Sequence, residues 1–171
     1  SQRRVTQKYL DSIANRAGAV CEFISPNKIF IFSGFNRNEN KSVSLNNYVI
    51  INTDDYSYIE NELSEPFGRS FAKSCIVPNI KKILIFGGSI NGMETSGSLY
   101  FYDYEKNVFN IAYLQALPGE RVEPAMIYSE RNNKVYIIGG LIPDGRTYKF
   151  HNSIMSLDLN QLSNDVWLGH P

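Results

Sequence analysis

The chain has 171 residues, enough for one domain with a buried core. Its 17 basic and 17 acidic residues cancel, which removes the global charge that draws a protein to nucleic acid or to an anionic membrane surface. Its apolar runs are too short for a membrane-spanning helix, so membrane insertion is not expected either.

The first residues admit two readings. Val5, Tyr9, Ile13 and Ala17 recur every four positions, as on one face of a helix. The same stretch also aligns with a later one: Tyr9-Leu10 and Ile13 precede Arg16 much as Tyr113-Leu114 and Leu117 precede Arg121. On that second reading residues 5–13 form an outer strand, and 1–15 belong to a preceding, incomplete unit.

A repeat then runs through the rest of the chain. Lys28-Ile29-Phe30-Ile31-Phe32-Ser33-Gly34, Lys82-Ile83-Leu84-Ile85-Phe86-Gly87-Gly88 and Lys134-Val135-Tyr136-Ile137-Ile138-Gly139-Gly140 are three copies of one pattern. Each is a lysine, a β-branched and aromatic run, and a stop at glycine. The closing glycines Gly34, Gly88 and Gly140 are 54 and 52 residues apart, a period expected of stacked supersecondary units. Arg16, Arg69 and Arg121 keep the same period, with steps of 53 and 52.

After each arginine comes a run of small or apolar residues, at 17–24, 71–77 and 123–128, read as a first strand, A. The glycine-terminated run is strand B. A third run, C, ends in a polar residue: Asn52, Asp103 or Asp158. Tyr58 and Phe109 follow Asn52 and Asp103 by six residues and place a fourth strand, D, beyond a tight turn. Trp167 follows Asp158 by nine, so the third C–D turn is expected to be longer. The expected fold is therefore all-β, with three four-stranded antiparallel units at 16–68, 69–120 and 121–171.

An arginine-led strand, a glycine-ended strand, an aspartate-ended strand and an aromatic-bearing fourth strand resemble the kelch repeat. The resemblance covers residues 16–168. Two positions depart from it: Ser33 replaces Gly in the first pair, beside Gly87 and Gly139 in the others, and tryptophan survives only at Trp167. The resemblance implies the blades of a β-propeller, which number four to eight around a channel. Three blades do not close a ring, so further blades, in this chain or another, are expected to complete it.

In an antiparallel blade the D–A and B–C connections emerge on one rim. The B–C segments 35–47, 89–98 and 141–152 vary while the strands keep register, which is where recognition is expected. The candidate partner-binding residues are Arg16, Arg69, Arg121, Arg37, Met93, Glu94, Asp144, Arg146 and Tyr148. Each has a bland alternative: the three repeated arginines also suit braces within their own blades, and Asp144-Gly145 suits a turn. Asp103 and Asp158 are expected to cap turns.

Catalytic groups are scarce. There are two histidines, His151 and His170, and two cysteines, Cys21 and Cys75, which do not make a disulfide framework. The cysteines stand five and six residues after equivalent arginines and are expected to be reduced core thiols, which points to the cytoplasm. The sequon at Asn40 would bear on a secreted protein only. Galactose oxidase shares the blade repeat, but its histidine pair has no counterpart here. The expected function is non-enzymatic binding of a protein or peptide, without metal or cofactor. A scaffold subunit packed through open blade faces is the second expectation, and an enzyme of the galactose-oxidase type the third.

Overall fold

The computed structural model describes residue 10 and residues 15–38, 41–92, 94–114, 119–145 and 147–167. The chain is all-β and its strands follow the repeat. In unit 1 they are β1 (Val20–Ile24), β2 (Lys28–Phe32), β3 (Phe35–Asn38), β4 (Lys41–Ser44), β5 (Asn47–Asn52) and β6 (Tyr58–Glu62). Unit 2 contains β7 (Lys73–Val77), β8 (Lys82–Phe86), β9 (Ser89–Ile90), β10 (Glu94–Thr95), β11 (Leu99–Asp103) and β12 (Val108–Ile111). Unit 3 contains β13 (Ala125–Ser129), β14 (Lys134–Ile138), β15 (Leu141–Asp144), β16 (Thr147–Phe150) and β17 (Ile154–Asp158).

Two sheets are four-stranded antiparallel meanders, β1-β2-β5-β6 and β7-β8-β11-β12. The third has three strands, β13-β14-β17. The fourth strand expected around Trp167 is replaced by short 3-10 turns at Leu159–Gln161 and Asn164–Trp167. The Asp158 carboxylate accepts from the backbone N–H of Asn160 and starts the first of them, so the chain leaves β17 by a turn too long for a hairpin. The expected outer strand at 5–13 lies outside the described residues.

The sheets stack face to face, and alternation along each strand decides what meets. One apolar core joins units 1 and 2 through Phe30, Phe32 and Tyr48 on one side and Ile83, Ile85, Tyr100 and Tyr102 on the other. A second joins units 2 and 3 through Leu84, Phe86, Leu99 and Phe101 against Val135 and Ile137. Central strands buried on both faces explain why β8 and β11 read as unbroken apolar runs. Phe109 takes its expected place in β12 and stacks on Phe32 at 4.8 Å. Trp167 meets Phe101 edge-on at 5.4 Å.

The one-residue difference in cysteine spacing has a structural result. Cys21 pairs with Ile31 and Cys75 with Leu84, and the two fall on opposite faces of their sheets. Cys75 is buried in the second core, where burial pushes its thiol up to about 12. Cys21 is exposed, so it is not the core thiol the sequence led us to expect.

The two seams between units share the same backbone bonds at the closing glycine and two residues past the arginine. The Gly34 amide donates to the carbonyl of Arg69 at 3.1 Å, and the Gly88 amide to that of Arg121 at 2.7 Å. Two residues past each arginine, Phe71 donates to the Gly18 carbonyl and Glu123 to the Phe71 carbonyl. A side chain cannot replace the closing glycine. Gly88 has φ +96°, and a Cβ there would lie 2.7 Å from the Ser70 carbonyl oxygen.

Candidate functional site

The three arginines are built alike. The residue after each one bridges to the residue after the closing glycine: Ala17 to Phe35, Ser70 to Ser89 and Val122 to Leu141. This clip brings each guanidinium onto the carbonyl just before that glycine. Arg16 donates to Ser33 O at 3.1 Å, Arg69 to Gly87 O at 3.4 Å and Arg121 to Gly139 O at 3.1 Å. A second bond ties each to the start of strand C or just before it, through Asn47 Oδ1, Ser96 Oγ and Ser153 Oγ respectively.

Arg69 is 2% exposed and lies 4.0 Å from the centre of the Tyr100 ring. Burial lowers its pKa, and the ring opposes that. These guanidiniums therefore lock strand B to strand C inside each unit. Of the two readings the sequence offered for these arginines, the hydrogen bonds are those of braces: guanidinium donors of Arg16, Arg69 and Arg121 are turned into the blade. Arg16 also reaches Glu60 at 3.4 Å.

Ser33 holds the slot that is glycine in the other units, and its hydroxyl joins two units. It is fully buried at φ +50°, donates to Leu45 O and accepts the Arg69 backbone N–H, both at 2.6 Å. The departure from the repeat is thus a seam bond that unit 2 makes without a hydroxyl. Sequence reasoning missed this role, although a lone polar residue inside a repeated glycine pair was the available signal.

The three B–C segments are two-stranded ribbons, β3-β4, β9-β10 and β15-β16, where loops were expected. They leave from equivalent glycines and share one rim. Ribbons 1 and 2 touch: the Ser44 amide donates to Asn91 Oδ1 at 3.1 Å, and the Asn91 amide to Ser44 Oγ at 3.0 Å. Arg37 is exposed on β3, Glu94 on β10 and Asp144 on β15. Met93 and Arg146 lie outside the described residues.

Ribbon 3 is the most open. Its register sets Pro143 opposite Tyr148 and Leu141 opposite Phe150, so these four share one face. Tyr148 is 45% exposed and Phe150 89%. At the root of this ribbon a pocket of about 310 Å³ is lined by Gly119, Glu120, Arg121, Ile142, Pro143 and His151. Arg121 Nε is buried without a hydrogen-bond partner, whereas Arg69 Nε is satisfied by the Phe67 carbonyl. Arg121 thus braces its blade like the others while also forming part of the pocket wall. Phe150 and His151 fall within the rim segment 141–152 that the sequence marks, but they and Glu120 were not among the named partner-binding candidates; ribbon pairing sets Phe150 on the strip, and the pocket gathers Glu120 and His151.

Among the described residues no group of three His, Cys, Asp or Glu side chains is placed to hold a metal ion. Fold and site define an all-β repeat protein, compatible with an arc of a propeller, that carries its sequence variation on ribbons along one rim. No protein-family model and no curated protein matches the chain.

Proposed function

We propose that this chain is part of a kelch-type β-propeller that binds another protein through its ribbon rim and catalyses no reaction. The observation that carries this reading is the apolar strip of ribbon 3. Tyr148 and Phe150 stand exposed on one face of a short hairpin, with Pro143 and Leu141 opposite them. Exposed aromatics clustered on a rigid scaffold are the residues that dominate protein interfaces. The neighbouring pocket adds the Glu120 carboxylate and the His151 ring, the polar groups such a strip needs at its edge.

The test is affinity capture with the wild-type chain and with the Tyr148→Ser/Phe150→Ser double variant, read by quantitative mass spectrometry. Partners bound through the strip fall by about ten-fold or more on the variant, while its melting temperature is unchanged. An identical captured set on both proteins would remove the ribbon from the interface.

A second reading, packing within a larger assembly, is favoured by the outward face of unit 3. Ile127, Ile138 and Ile154 are 59%, 38% and 68% exposed there. Their counterparts on the two interior faces, such as Phe32 and Phe86, are fully buried. The ion pair on that face, Lys134 to Asp158 at 3.1 Å, is also more open than its buried equivalent, Lys82 to Asp103 at 2.7 Å. Further blades, from this chain or another, are the natural cover for it.

A further inference from the structure

The opposite rim, where the C–D turns lie, carries a groove that the ribbon reading does not use. It lies between units 1 and 2, encloses about 470 Å³, and is lined by Lys28, Ile50, Ile59, Tyr102, Tyr104 and Glu105 among others. The register of the repeat identifies the matching place between units 2 and 3. There Lys82 stands for Lys28, Asp103 for Asn52 and Phe101 for Ile50.

That second place is filled. Lys82 is paired with Asp103 at 2.7 Å. The Trp167 ring packs against Phe101 at 5.4 Å and lies 5.8 Å from Lys82 Nζ. A carboxylate and an aromatic ring therefore satisfy a lysine and an apolar floor within one seam.

The first seam has the same lysine and floor but no carboxylate on the lysine; Tyr102 and Tyr104 line the groove, and the Tyr102 ring is committed to Phe30 at 4.6 Å. Position 52 is asparagine, so the register partner of Lys28 brings no charge. Among the described residues no carboxylate lies within ion-pair distance of Lys28, and Glu105 lines the groove without reaching it. Ile59 is 65% exposed at the groove wall. Phe109, the aromatic of unit 2, is committed elsewhere, stacked on Phe32.

We propose that this groove takes a segment of a partner protein bearing an aromatic side chain next to a carboxylate, the ring on Ile50 and Ile59 and the carboxylate on Lys28. The occupant is the external equivalent of what Trp167 and Asp103 supply internally one seam on. The site stands apart from the ribbon rim and does not depend on binding there.

Fluorescence anisotropy tests it with the full chain and a labelled octapeptide carrying an Asp beside a Trp. The wild type binds it saturably, and replacing the peptide's Asp by Asn or its Trp by Ala weakens binding about ten-fold, the loss of one charge-assisted or stacked contact. The discriminating variant is Asn52→Asp, which supplies Lys28 with the partner its sister lysines have. The new carboxylate can still accept the Asp54 amide that Asn52 accepts at 2.9 Å, so the fold is kept, and peptide affinity falls about ten-fold. Glu105→Gln removes a like charge beside the ligand and tightens binding. No saturable binding by the wild type, or equal affinity for wild type and Asn52→Asp, would overturn the proposal.

Discussion

At the scale of single residues, buried polar groups do more than any surface charge to fix this chain. Arg69→Ala leaves the Ser96 hydroxyl and the Gly87 carbonyl without their donor and empties the space against Tyr100. We expect a loss of about 3 kcal/mol or more in urea unfolding, whereas Arg37→Ala, on an exposed ribbon, changes stability by less than about 0.5 kcal/mol. Ser33→Ala orphans the Arg69 amide inside the seam and costs about 1–3 kcal/mol. Equal stabilities for Arg69→Ala and Arg37→Ala would refute the brace. The positions of Arg16, Arg69 and Arg121 were legible in the sequence because they keep the period. Their direction was not, since spacing along a chain carries no information on whether a long side chain turns inward or outward.

At the scale of the element, strand identity was legible wherever β-branched and aromatic runs ended in glycine or a turn-capping residue. Asp103 caps its turn as expected, accepting from the amides of Glu105 and Lys106 at 3.2 and 3.0 Å. What the sequence hid was pairing within the variable segments. Residues 35–38 and 41–44 lack the apolar alternation that announces a strand, yet a clip at the ribbon root holds them in a ladder. Among the described residues unit 3 has no fourth strand, which was half legible, because the spacing from Asp158 to Trp167 announced a long turn and no more.

The Asp103 carboxyl supplies a prediction at this scale. Burial works to raise its pKa, but hydrogen bonds from Lys82 and from the backbone amides of Lys106 and Glu105 hold it below its ordinary value. A carboxyl in the unfolded chain takes its proton near about pH 4. The stability this group contributes is therefore present above that pH and is lost as pH falls through the lower, folded value. Melting temperature should drop in that acid range for the wild type. Asp103→Asn should melt lower at neutral pH and show a shallower acid slope. Parallel slopes in the two proteins would mean that the Lys82–Asp103 pair does not carry the effect.

At the scale of the whole molecule, the account rests on one seam written twice and offered a third time. Sequence period alone located the units, since strands of fixed order and spacing recur at 52 to 54 residues. The bonds that the closing glycines make between units were not legible, because they run from backbone to backbone and leave no trace in residue type beyond the glycine itself. Gly34 and Gly88 donate across the seam to the next arginine carbonyl. Gly140 holds the same place at φ +96°, and among the described residues its amide has no acceptor.

Amide hydrogen exchange read by NMR tests this most directly. The account predicts slow exchange at Gly34 and Gly88, in step with the core strands they close, and fast exchange at Gly140. Exchange at Gly34 and Gly88 as fast as at Gly140 would contradict the seam, and with it the stacking of the three units.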